Sequence, residues 1–152
     1  LKAITETKIP CLILWPNSDA GSDGISKAIR IWREKYPDLP FKYSKNFDSS
    51  FYFYLMSKCK VMIGNSSSGI REGSFIGTPV VNVGSRQNGR VRSKNVIDVK
   101  PYFHEIINAI NSQIRHGRYK SSNLYGDGNA ANKIANILAE QEEFQIQKKI
   151  SY

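Results

Sequence analysis

Short uncharged apolar runs alternate with helical stripes along this chain, and that alternation limits its fold more than any single motif does. Cys11-Leu-Ile-Leu-Trp15, bounded by Pro10 and Pro16, suits a strand covered on both faces. Ile25, Ala28, Ile29 and Trp32 then recur at helical spacing, until Tyr36-Pro37 stops the helix. A short strand over residues 40–43 follows. Next comes a helix capped by Asp48 or Ser49, with Tyr52, Leu55, Met56 and Cys59 on one face. A buried strand over 60–64, a small-residue helix over 66–76 and a strand over 79–83 continue the succession. After a polar Gly/Arg loop, a strand over 95–99 leads to a helix striped by Phe103, Ile106, Ile107, Ile110 and Ile114, with Gly117 as its C-cap. A last helix carries Ala130, Ile134, Ile137 and Leu138. The pattern predicts an α/β fold: a Rossmann-like parallel sheet flanked by helices, connected right-handedly.

A length of 152 residues suits one domain, expected over residues 1–140, with 141–152 a polar, frayed tail. The chain opens on Leu1 and a helix-like stretch over 2–7, as a piece of a longer protein would. No apolar run reaches the roughly 18 residues a membrane span needs, and no basic stretch followed by an apolar one opens the sequence, so neither membrane insertion nor export is expected. Cys11 and Cys59 lie inside apolar or helical stretches and read as buried thiols in a reducing cytoplasm. The 22 Lys and Arg against 13 Asp and Glu give a net charge of +9, which points to an anionic partner. Nucleic acid, a membrane surface and a phosphorylated small ligand all satisfy that charge. His104 and His116 have no Cys or carboxylate cluster at ligand spacing, so no metal is expected.

Open α/β sheets bind ligands at the carboxyl ends of their strands, and three loops are placed there. Gly64-Asn-Ser-Ser-Ser-Gly-Ile-Arg-Glu-Gly73 turns a buried strand into a helix, where unpaired N–H groups and three hydroxyls suit phosphate oxygens. Ser68 and Glu72 are an i, i+4 pair. That step would set the Glu72 carboxylate one turn below the phosphate pocket, with two acceptor oxygens for the hydroxyls of a ribose. A capped helix without any ligand has the same local sequence. Gly73 and Gly77 suit close approach to the sheet or to a ligand. In the loop Gly84-Ser-Arg-Gln-Asn-Gly-Arg-Val-Arg92, Arg86, Arg90 and Arg92 are expected around a diphosphate rather than merely solvated. Pro16-Asn-Ser-Asp-Ala-Gly-Ser22 offers Asn17 as a donor, but it is equally a plain turn. No Ser/His/Asp arrangement or carboxylate pair makes a complete catalytic centre.

Four motifs in order resemble the hydrolysing UDP-N-acetylglucosamine 2-epimerases. They are Pro16-Asn-Ser-Asp-Ala-Gly-Ser22, Met62-Ile-Gly-Asn-Ser-Ser-Ser-Gly-Ile-Arg-Glu72, Gly77-Thr-Pro-Val-Val-Asn-Val-Gly-Ser-Arg-Gln-Asn-Gly-Arg90 and Tyr125-Gly-Asp-Gly-Asn-Ala130. The resemblance implies the carboxyl-terminal, nucleotide-binding half of a glycosyltransferase-B-like fold. It implies that Asn17, Ser66, Ser67, Glu72 and Arg86 lie against UDP, with Tyr52 as the aromatic placed to pack on uracil. The activity it implies eliminates UDP across C1–C2 of the sugar to leave a 2-acetamidoglucal, to which water adds to give N-acetylmannosamine.

The same resemblance implies UDP and a UDP-N-acetyl-hexosamine as ligands and a homo-oligomer of the full-length protein. It implies neither a cofactor nor a metal, nucleic acid or membrane. The family's acid/base groups belong to an amino-terminal half, and no His-Arg-Arg-Glu stretch is present here. The chain is therefore expected to be inactive alone, and its last helix to expose Ile134 or Ile137. Two other functions share parts of this pattern: the nucleotide-sugar half of a glycosyltransferase of the same architecture, and a basic nucleic-acid-binding module.

Overall fold

A computed structural model describes residues 1–17 and 21–141 and places seven helices and five strands among them. The expected tail lies outside the described residues except for Gln141. In chain order the elements are α1 (Lys2–Glu6), β1 (Cys11–Leu14), α2 (Ser22–Lys35), β2 (Phe41–Ser44), α3 (Ser49–Lys58), β3 (Met62–Gly64) and α4 (Ser67–Ile70). There follow α5 (Glu72–Ile76), β4 (Val80–Val83), β5 (Val96–Val99), α6 (Phe103–His116) and α7 (Ala130–Glu140). Asp48 caps α3, its carboxylate accepting from the Phe51 N–H at 2.9 Å. A cap of this kind is worth about 1 kcal/mol. Gly117 ends α6, as its position after the apolar stripe predicts.

Every strand pairing is parallel, and the architecture is α/β with parallel sheets flanked by helices. The strands form two sheets, β1-β2 and β3-β4-β5, rather than one continuous sheet. β1 consequently alternates in burial: Leu12 and Leu14 are exposed, where an apolar run suggested cover on both faces. Cys11 and Cys59 are free and half-buried, and burial pushes both thiols up.

The helix expected over 66–76 is two short helices broken at Arg71 (φ −85°, ψ −75°). Its small residues explain the break. Glycines weaken a continuous helix, and here they let the chain press on β4: a Cβ at Gly69 would stand 2.9 Å from Val80 Cγ1. At Gly77, φ is +76° and a Cβ would stand 2.1 Å from the Tyr119 carbonyl oxygen, so close approach of the chain, not of a ligand, accounts for that glycine.

The core lies between β3-β4-β5 and α6. Val81, Ala109 and Ile110 are buried there, with Ile63, Val83, Ile97 and Ile106 packed around them. Each large aliphatic side chain so buried contributes roughly 1.5–3 kcal/mol. Gln113 pins the helix to the sheet: its Nε2 donates to the carbonyls of Val80 (2.7 Å) and Asn95 (2.9 Å), and its Oε1 accepts from the Tyr119 hydroxyl (2.7 Å). By contrast every residue of α7 is exposed, Ile134 at 57% and Ile137 at 63%, as expected for that helix.

Candidate functional site

Because β3 and β4 are parallel neighbours, with Gly64 opposite Asn82, the loops that leave them open on one edge of the sheet. On the β3 side, Ser66 is the N-cap of α4, its Oγ accepting from the Ser68 N–H at 3.3 Å. The hydroxyl keeps its own O–H as a donor. Ser67 is half-buried, and its carbonyl accepts from the Arg71 N–H at 2.9 Å. Glu72 heads α5, half-buried. The break at Arg71 means that Ser68 and Glu72 are not successive turns of one helix, contrary to the i, i+4 expectation.

Tyr52 joins them instead. It reaches from α3, half-buried, so that its phenol comes within interaction range of the Ser68 side chain and the Glu72 carboxylate. Burial above all, with a smaller push from Glu72, raises the phenol above the ordinary tyrosine range, while Ser68 opposes the rise. Three elements thus converge on a hydroxyl, a phenol and a carboxylate.

The β4 loop is fastened to this group. Gln87 is buried and donates from Nε2 to the Asn65 carbonyl at 2.8 Å, and Arg86 Nη1 reaches the same oxygen at 3.4 Å. Arg86 is exposed and reaches the residue next to Ser66. Arg92 does not join it around an anion. Its guanidinium is engaged with Asp98 (Nε–Oδ2 3.1 Å, Nη2–Oδ1 3.2 Å) and with the Arg90 carbonyl, and Asn82 Nδ2 donates to the same carboxylate at 2.6 Å. A carboxylate on the adjacent strand outcompetes a solvent-facing role for that arginine. Arg90 is exposed on the loop. Asn17 stands exposed beyond the end of β1, a strand of the other sheet; Ser18, Asp19 and Ala20 lie outside the described residues.

Two supports carry no sequence signal of their own. Asn95 Nδ2 donates to the carbonyls of Gly69 (3.3 Å) and Thr78 (2.8 Å), and Arg118 donates to the carbonyls that end α3 and α5. Each is a single polar residue whose partners are distant in sequence, so no local spacing marks it. An apolar groove of about 390 Å³ between α1 and the β3 and β4 ends is lined by Ile4, Ile63, Gly64, Val83 and Phe103, and excludes the serines and Glu72. Among the described residues no group of three or more His, Cys, Asp or Glu side chains is placed to hold a metal ion.

The model of the UDP-N-acetylglucosamine 2-epimerase family matches residues 1–139. The chain belongs to that family. Within it, the chain is 36% identical over 138 residues to the UDP-N,N′-diacetylbacillosamine 2-epimerase (hydrolyzing) of Legionella pneumophila, covering 91% of this chain and 36% of that protein. It is 25% identical over 140 residues to the UDP-N-acetylglucosamine 2-epimerase of Neisseria meningitidis, covering 88% of this chain and 35% of that protein. A further 2-epimerase, the GDP/UDP-N,N′-diacetylbacillosamine 2-epimerase (hydrolyzing) of Campylobacter jejuni, is 55% identical over 53 residues, 35% of this chain and 14% of that protein. The chain thus spans about a third of the length of the first two 2-epimerase relatives.

Proposed function

We propose that this chain is the carboxyl-terminal, UDP-binding half of a hydrolysing UDP-N-acetyl-hexosamine 2-epimerase. The observation that supports it best is that Tyr52 comes within interaction range of Ser68 and Glu72 while Gln87 and Arg86 reach the Asn65 carbonyl, which ties the loops after β3 and β4 together at the edge where they leave the sheet. Ser66 and Ser67 supply O–H and N–H donors to the diphosphate, and Arg86 supplies charge. Glu72 takes the ribose hydroxyls with its two oxygens, Tyr52 packs on the uracil, and Asn17 approaches from β1. The Legionella and Neisseria relatives are both named for UDP-sugars, which supports UDP as the nucleotide this half serves.

In the reaction, the C1–O bond to UDP breaks as a base removes the C2 proton, leaving a 2-acetamidoglucal. Water then adds at C1, and C2 regains a proton on the opposite face. The role of these residues is to hold the departing diphosphate and neutralise its growing charge. The groups that remove and return the proton come from outside this chain, across a cleft whose second wall also excludes water.

Reconstitution tests this division of labour. The chain alone should release no UDP from UDP-N-acetylglucosamine or UDP-N,N′-diacetylbacillosamine above background, and adding the amino-terminal half of such an enzyme should restore turnover of one of them. Conversion by the chain alone would contradict it and would move the acid/base roles to Asp19, Asp48 or His104.

A further inference from the structure

Arg118 lies on the segment that leaves α6, outside all four motifs above. Its Nη1 donates to the carbonyls of Met56 (3.2 Å) and Cys59 (3.3 Å), at the end of α3. Its Nη2 donates to the Ile76 carbonyl (3.3 Å), at the end of α5, and to Thr78 Oγ1 (3.4 Å). Thr78 in turn donates to the Met56 carbonyl at 2.8 Å and closes the network. One planar guanidinium therefore bridges two helix ends, where carbonyls lack helical partners and the helix dipole is negative.

The anchors have a fixed relation to the candidate site. Met56 lies one helical turn beyond Tyr52 on α3, and Ile76 one turn beyond Glu72 on α5. The segment bearing Arg118 is itself clamped to α5: the Tyr119 N–H donates to the Gly77 carbonyl and the Ser122 N–H to the Ser74 carbonyl, both at 3.0 Å. Gly77 admits that contact only because it has no Cβ.

We propose that Arg118 is a positioning residue that sets α3 against α5 and so holds Tyr52, Ser68 and Glu72 in the arrangement that reads the ribose and base of a nucleotide. The ligand half of this statement rests on the function proposed above. The positioning half does not.

Both halves are tested in one set of variants, Arg118→Lys and Arg118→Ala. The coupling between Tyr52→Phe and Ser68→Ala is measured by a double-mutant cycle in urea unfolding, with and without each Arg118 substitution. A merely stabilising Arg118 adds to stability and leaves that coupling unchanged, because independent sites are additive. A positioning Arg118 makes the coupling disappear in Arg118→Lys, whose ammonium cannot bridge both helix ends.

Calorimetry with UDP and 2′-deoxy-UDP then reads the consequence. UDP affinity should fall by roughly tenfold in Arg118→Lys, as small misplacements of binding groups do, and the preference for UDP over its deoxy analogue should shrink with it. Coupling that persists in folded Arg118→Lys overturns the proposal, even if Arg118→Ala unfolds. Coupling that vanishes in a protein that never bound UDP leaves Arg118 a positioning residue and removes the nucleotide function.

Discussion

Gln87 donates from Nε2 to the carbonyl oxygen of Asn65 across 2.8 Å, and this bond ties the loop after β4 to the loop after β3. Gln87→Leu removes it from a buried position while Arg86 still reaches the same oxygen at 3.4 Å. The expected loss is about 0.5–1.5 kcal/mol of stability, measured by urea unfolding. Affinity for UDP should weaken with it, because the two loops lose their fixed spacing. Unchanged affinity would show that the loops bind independently.

Glu72→Gln tests ribose recognition. A carboxylate accepting two hydroxyl hydrogens loses one acceptor on becoming an amide, so UDP should bind more weakly and its preference over 2′-deoxy-UDP should narrow. If both affinities survive in a variant with an intact circular dichroism spectrum, Glu72 is a helix residue and no more.

Asp98 gives the site edge a pH dependence. Partial burial alone would push its carboxyl up, but hydrogen bonds from Arg92 and Asn82 and the Arg92 charge hold it below the ordinary value of 3.8. A carboxyl depressed in the folded state contributes stability that is complete above its unfolded value and is lost as pH falls through the folded one. Unfolding experiments between about pH 5 and 2.5 should show this loss below about pH 4. Asp98→Asn should flatten that part of the profile. A wild-type profile already flat there would contradict the ion pair's contribution.

Gly77→Ala should destabilise the chain by at least about 2 kcal/mol, since it combines a left-handed backbone with a collision against Tyr119. Urea midpoints measure it. A neutral substitution would mean that the segment from 117 to 122 is not clamped on α5.

How far these features were legible in the sequence depended on whether their cause is local. Helix stripes, the Asp48 cap and the Gly117 stop were legible because each is set within a few residues. The helix over 66–76 looked continuous because its break comes from glycines pressing on β4, a strand that periodicity cannot bring alongside. The division of the strands into two sheets is likewise a matter of pairing between distant segments. At the candidate site, the place of Ser66 and Glu72 after a strand and the spacing of Tyr52 mark them in the sequence, and the structure brings Tyr52 near Ser68 and Glu72. Arg92 reads as an anion ligand in the sequence because Asp98, its partner on β5, is an exposed acidic residue without a motif. Arg118 and Gln113 gave no signal, each being one polar residue among others whose partners come from far along the chain.

The most direct test of a UDP-binding half is a calorimetric comparison of UDP, UMP and uridine with the same protein. Serine donors and Arg86 at the diphosphate require UDP to bind more tightly than UMP, and UMP more tightly than uridine, each lost charge-assisted contact costing about 1.5–3 kcal/mol. Equal affinity for UDP and uridine would contradict the assignment of the Ser66 and Arg86 edge to phosphate.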